Sequence, residues 1–175
     1  MLANGQTMKR ERASRRRGSY FVEVIFVLVP MVALIAGSID YGLAMYNRTT
    51  LQNAVATGVR YAVTYRVKSG YCMDDSIRMA TQAAAMGLLG SSTTPNANVL
   101  VRYYNPTNLS AEIGGAAGNS PLNVVEVAVL NYQWSWITNL SGVRDSPRSW
   151  SPLNIVVYSS DRLGVLPPGA TPPCR

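Results

Sequence analysis

Few residues of this chain could carry chemistry, and their spacing limits what kind. Glu23 sits just inside an apolar run that follows Arg15, Arg16 and Arg17. A carboxylate near the edge of a membrane helix is expensive and usually has a task. Cys72 and Cys174 are far apart and show no metal-ligand spacing, so no metal site is expected. The chain has no histidine, the commonest general acid–base, and nothing else forms a candidate dyad. The methionines and alanines of residues 73–89 read as packing, and no cofactor is expected. The chain reads as a non-enzyme.

The element that positions Glu23 is an apolar helix. Residues 24–39 are without a charge, and ten of these sixteen are Val, Ile, Leu or Phe. Extended back to Tyr20, the stretch makes about 30 Å of helix, the thickness of a bilayer core. Those ten residues favour insertion by about 3–6 kcal/mol, and Glu23 opposes it by no more than about 2.5–3.5 kcal/mol. Insertion therefore wins. Before Ser19, Lys9, Arg10, Arg12, Arg15, Arg16 and Arg17 stand against Glu11 alone, so most of the net charge of +7 lies in this tail. The positive-inside rule keeps such a tail cytoplasmic and exports the chain beyond residue 39. A basic tail without a basic domain face argues against nucleic acid as a partner.

A cleaved signal peptide would need a cut near Ala36-Gly37-Ser38, but the apolar run is too long and carries Pro30. A twin-arginine signal fails because Gly18 and Ser19 follow the arginines where an apolar pair belongs. A plain signal anchor survives both objections but leaves Glu23 without a role.

Arg17-Gly18 followed by Ser19-Tyr20-Phe21-Val22-Glu23 and an apolar helix resembles a type IV prepilin leader. Further motifs extend the likeness: Leu28-Val29-Pro30, Ile39-Asp40-Tyr41-Gly42, the stretch from Tyr46 to Ala54, and Gly58-Val59-Arg60-Tyr61-Ala62-Val63. Together they resemble the TadE-like family, minor pilin-like proteins (pseudopilins) of the tight adherence (Tad, or Flp) pilus system. The resemblance implies a prepilin-type peptidase that cuts between Gly18 and Ser19, leaving Glu23 as the fifth residue of the mature chain. It implies partners in the inner membrane, that peptidase, and other Tad pilin-like subunits and assembly proteins. It also implies a bacterial inner-membrane protein with a cytoplasmic N-terminus and an exported C-terminal domain. A different class is an uncut, membrane-tethered binding protein with an exported domain.

Helical periodicity continues outside the membrane. Leu51, Val55, Val59 and Ala62 make one apolar stripe, with Asn53, Thr57, Arg60 and Thr64 opposite. The spacing predicts one helix over residues 20–66, kinked where Pro30 removes a hydrogen bond. A second helix is predicted over 74–89, with Asp74 or Asp75 as its cap and Met73, Ile77, Ala80, Ala84 and Leu88 as its apolar face. Period-two alternation marks a strand over 99–104, stopped by Asn105-Pro106 and followed by a Gly-rich loop at 114–119. Residues 122–134 read as a central strand, 135–152 as loop, and 153–158 as a third strand. The aromatics Tyr103, Tyr104, Tyr132, Trp134, Trp136 and Trp150 read as core or interface.

The expected class is α+β: a long N-terminal membrane-spanning helix continuing into a small exported domain with a second helix and a roughly three-stranded antiparallel sheet, packed on helix stripes. The division is a basic leader (1–18), a transmembrane half-helix (19–39), its exported half (40–66), an α/β domain (67–166) and a Pro-rich tail (167–175). In an oxidising exported compartment Cys72 and Cys174 would pair and pin that tail; two unpaired thiols are the alternative.

Overall fold

A computed structural model of the chain describes residues 4–136 and 152–175. The described residues order as α1 (Asn4–Val63), α2 (Met73–Ala84), β1 (Val99–Asn105), β2 (Asn108–Glu112), a 3-10 turn (Gly115–Ala117), β3 (Val124–Trp134) and β4 (Leu153–Arg162). The fold is α+β. The chain divides into two compact units, residues 1–42 and 43–175.

The first unit is helix. α1 runs through Pro30 without interruption. Its apolar side chains from Tyr20 onward face outward, Phe26 being 83% and Leu34 74% exposed. Burial of a large aliphatic or aromatic side chain is worth about 1.5–3 kcal/mol, so a row of such residues left open needs an apolar surrounding. Among the described residues, one helix, over Tyr20–Val63, is long and apolar enough to cross a membrane.

The second unit is built on the far part of α1. Leu51, Ala54, Val55, Val59 and Ala62 are buried, while Asn53, Thr57, Arg60 and Thr64 are exposed, as the stripe requires. These residues join Met73 and Ile77 of α2 and the inward side chains of the sheet, Val99, Val101, Tyr103, Val125, Val127, Val129, Ile155 and Val157, in one core. The sheet is antiparallel in the order β2-β1-β3-β4. β3 lies between β1 and β4 and buries Ala128 on one face and Val125, Val127 and Val129 on the other.

The sheet has one more strand than the sequence predicts. β1 ends at Asn105, as the Asn105-Pro106 pair predicts, but a turn follows in which the Asn105 side-chain oxygen accepts hydrogen bonds from the backbone N–H and the hydroxyl of Thr107. The chain thereby reverses into β2. That strand lies at the sheet edge with every residue exposed, so it carries no alternation to read. β4 also extends past Tyr158 to Arg162. Its polar end pairs with Val124 and Val125 of β3.

α2 differs at both ends and in its buried face. It starts at Met73 with Cys72 in the capping position, and no side chain makes a cap hydrogen bond. Asp74 and Asp75 lie in its first turn, where their charge suits the helix dipole. The helix stops at Ala84 because Met86 and Gly87 take left-handed backbone conformations (φ 51° and 88°). Its buried face includes Ser76, Thr81 and Gln82, and Ala80, Ala84 and Leu88 are half-buried. The polar residues are tolerated because their side-chain donors are satisfied close by. The Ser76 hydroxyl donates to Cys72 O, Thr81 Oγ1 to Ile77 O, and the Gln82 amide to Ser91 O.

The close approach of α1 and α2 depends on Gly58. A Cβ there would collide with Thr81 Oγ1 and lie 3.5 Å from Val127 of β3. Residues 137–151 lie outside the described residues, and with them most of the predicted 135–152 loop and Trp150. Tyr103 is fully buried, and Tyr132 and Trp134 pack against the core.

Candidate functional site

Two groups of sequence-predicted residues lie in separate parts of the chain. Gly18, Ser19 and Glu23 belong to the first unit, all within α1. Ser19 and Glu23 are four residues apart, about one helical turn or 6 Å of rise. Glu23 is exposed and shares a shallow surface concavity with Tyr20, Val24, Val27, Leu28 and Met31. A carboxylate among apolar side chains is an acceptor in search of a cation or a polar headgroup.

Further along α1, Asp40, Tyr41 and Gly42 diverge. Asp40 is buried, at 2% exposure, and falls on the same helix face as the buried Ala44, Asn47 and Leu51. Tyr41 is exposed, and the space beside Gly42 is open.

The second group sits at the start of α2. Cys72 and Cys174 form a disulfide with their Cα atoms 4.9 Å apart. The bond is one part of a larger clasp on the C-terminal tail. Met73 N donates to Cys174 O at 2.7 Å, and the Asn119 amide donates to Pro173 O at 2.8 Å. Arg175 then reaches inward. Its Nε donates to Asp74 Oδ2 at 2.9 Å, and its Nη1 donates to the carbonyls of Ile113 and Gly115 at 2.9 and 3.0 Å. Its guanidinium lies 4.5 Å from the centre of the Tyr103 ring, a cation–π distance. The Tyr103 hydroxyl donates to the other oxygen of Asp74 at 2.7 Å. Glu112 stands 3.9 Å from Arg175 at the rim.

Burial, with the Asp74 carboxylate beside it, pushes the Tyr103 hydroxyl well above its ordinary range. Tyr103 is therefore a fixed proton donor to Asp74 and a poor acid. Both Asp74 oxygens are engaged, one by Tyr103 and the other by Arg175. The arrangement holds a tail in place; it does not present a nucleophile. Among the described residues, no three His, Cys, Asp or Glu side chains gather in a way that could hold a metal ion.

Sequence reasoning assigned no role to Arg175 or Asn119 and placed Asp74 in a cap. Arg175 carries no motif. Its partners are 101, 62 and 60 residues away in the chain, and only folding brings them together.

The family comparison falls on the first group. Residues 18–60 match the family model described as TadE-like protein. No curated protein and no solved structure matches the chain. The matched stretch begins at Gly18, contains Glu23, Pro30, Asp40, Tyr41 and Gly42, and ends in the buried stripe of α1. Over residues 18–60, this chain is similar to TadE-like proteins.

Proposed function

We propose that the protein is a TadE-like pseudopilin: a membrane-anchored, non-catalytic structural component for assembly of an adhesive Tad/Flp-type pilus. The observation that carries this reading is the TadE-like match beginning at Gly18, at the head of a helix long and apolar enough to cross a membrane. The basic tail holds the N-terminus in the cytoplasm of a bacterial inner membrane, and the second unit is exported. A prepilin-type peptidase cuts the Gly18–Ser19 bond. Gly18 and Glu23 are features of its substrate, and the chemistry belongs to the peptidase.

The cut gives Glu23 its role. It creates an ammonium at Ser19, and a subunit entering an assembly offers that ammonium to the Glu23 carboxylate of a neighbour. Opposite charges 4 Å apart gain about 4 kcal/mol at an effective dielectric of 20, which offsets the cost of holding either near lipid. Because Ser19 and Glu23 are about 6 Å apart along α1, the pair also sets an axial offset between subunits.

N-terminal sequencing of the membrane-extracted protein tests the reading. Ser19 as first residue is expected; an intact basic tail in cells that build pili normally would overturn it in favour of an uncut tether. Glu23→Gln is expected to leave membrane insertion intact and to abolish incorporation into the pilus machine.

A further inference from the structure

A bulge in β3 brings two side-chain amides to one concavity of the second unit. Val129 pairs with Val157 and Tyr132 with Ile155, so between these pairs two residues of β3 oppose one of β4. Asn131, in that interval, has a left-handed backbone (φ 62°), which asparagine tolerates better than most residues. An unbroken strand would send Asn131 inward after Val125, Val127 and Val129. The extra residue instead sets Tyr132 and Trp134 against the core and leaves Asn131 and Gln133 exposed. Bulges re-aim side chains beside functional sites, and a left-handed residue within a strand invites a functional explanation.

The concavity has a volume of about 400 Å³, within the range of small-molecule sites. Three segments enclose it: the turn after α2, the loop before β1, and the β3 bulge. Asn96 ties the first two together. Its side-chain nitrogen donates to Leu89 O at 2.7 Å, and its side-chain oxygen accepts from Asn98 N at 2.8 Å. Leu130 N of the bulge donates to Asn98 O at 3.3 Å and joins the third. The rim is therefore fixed by the fold, and a fixed site loses little freedom when a ligand arrives.

Asn96 is used up in this role, but other polar groups remain. The side-chain amides of Asn98, Asn131 and Gln133 and the Tyr132 hydroxyl line the concavity, and they make no hydrogen bond to another described residue. Each amide offers donors and an acceptor side by side. No charged side chain lines the concavity, so an ionic ligand would give up hydration without gaining a counter-charge. The set fits a neutral molecule with a rim of hydroxyls and an apolar face. Hydroxyls both donate and accept, as the amides do, and the apolar face matches the Tyr132 ring and the buried Leu89 and Val129. A saccharide ring has this character. An extended peptide fits less well, because strand addition needs a continuous ladder. Pairing with β1 stops at Val129, and the left-handed Asn131 interrupts β3 just beyond it.

We propose that the concavity between the α2 turn and the β3 bulge is a binding site for a neutral saccharide, held by the amides of Asn98, Asn131 and Gln133 and by the Tyr132 ring. The proposal goes beyond the pilus-component reading and does not rest on it, since every residue involved belongs to the second unit.

The test is saturation-transfer-difference NMR on the full chain, in a detergent without a sugar headgroup. The probes are the methyl glycosides of glucose, galactose, mannose and N-acetylglucosamine, with N-acetylneuraminic acid as the charged control and a capped tetra-alanine as the peptide control. At least one neutral glycoside is expected to bind. Asn131→Gly, which suits the left-handed backbone, combined with Gln133→Ala should raise its Kd about tenfold, with the near-UV circular dichroism unchanged. Asn98→Ala lies on a separate segment and should by itself weaken binding several-fold, which decides the matter if the double variant does not fold. No signal from any neutral glycoside, binding indifferent to these substitutions, or selective binding of the acid would overturn the proposal. A signal from the peptide alone, sensitive to the same substitutions, would overturn it in favour of a peptide site.

Discussion

Replacing Arg175 by alanine isolates what the non-covalent clasp contributes to the second unit. The substitution removes the 2.9 Å ion pair to Asp74, two hydrogen bonds to the carbonyls of Ile113 and Gly115, and the contact with the Tyr103 ring. Breaking a buried pair by deleting one partner costs about 3–5 kcal/mol. Two features lower that figure. The Arg175 and Asp74 side chains keep 15% and 17% of their exposure, so water screens the abandoned carboxylate in part. The disulfide also keeps Arg175 near Asp74 after unfolding, because Cys174 and Cys72 are their close neighbours in sequence, and some attraction survives in the reference state. The expected loss is about 2–3 kcal/mol with the disulfide intact. It should be larger by about 1 kcal/mol in the Cys72→Ser/Cys174→Ser background, where the unfolded chain no longer holds the pair together. Urea unfolding of the full chain in detergent, monitored by near-UV circular dichroism, measures both values. Arg175→Lys should recover part of the loss, since an ammonium restores the charge but not the fork that serves Asp74 and two carbonyls at once. A loss below about 0.5 kcal/mol in both backgrounds would match an ordinary surface substitution and refute the clasp as a stabilising element.

Three further outcomes are expected. Gly58→Ala should destabilise the second unit by about 1–3 kcal/mol despite alanine's better helix propensity, because its methyl group meets Thr81; adding Thr81→Ala should restore much of it, as chemical denaturation would show. Cys72→Ser/Cys174→Ser opens a link that spans 102 residues and should cost up to about 4 kcal/mol on the chain-entropy account, read from the same denaturation curves. Tyr103 makes the second unit sensitive to alkali: its pKa is raised above the ordinary value of 10.0, so the folded state keeps a proton that the unfolded state has begun to lose. Its stabilisation is complete below about pH 10 and declines as pH rises above that; Tyr103→Phe should flatten this decline in thermal melts across the alkaline range, and an unchanged slope would refute the assignment.

Much of the architecture was legible in the sequence because it depends on periodicity. The membrane-length apolar run, the stripe of Leu51, Val55, Val59 and Ala62, and the two-faced apolar character of β3 are repeats set by helix and strand geometry. Motifs at fixed spacing likewise pointed to the TadE-like family, and the matched residues 18–60 fall where those motifs are dense. Signals failed where a segment lacks a repeat or where polar residues are satisfied at short range. β2 is a fully exposed edge strand, and the buried Ser76, Thr81 and Gln82 look like a solvent face until their local hydrogen bonds are known.

Composition and spacing by themselves determined the apolar anchor, the α+β class and the positions of Gly18, Ser19 and Glu23 in the leader-like motif. Those are properties of contiguous residues, and local geometry carries them. Only the tertiary structure decided that Arg175 would fill the space among Asp74, Tyr103, Ile113 and Gly115, that Gly58 would admit α2, and that Asn98 would share a concavity with Asn131 and Gln133. Each of these joins residues remote in the chain, and such encounters depend on the path of the backbone between them, which no local spacing records.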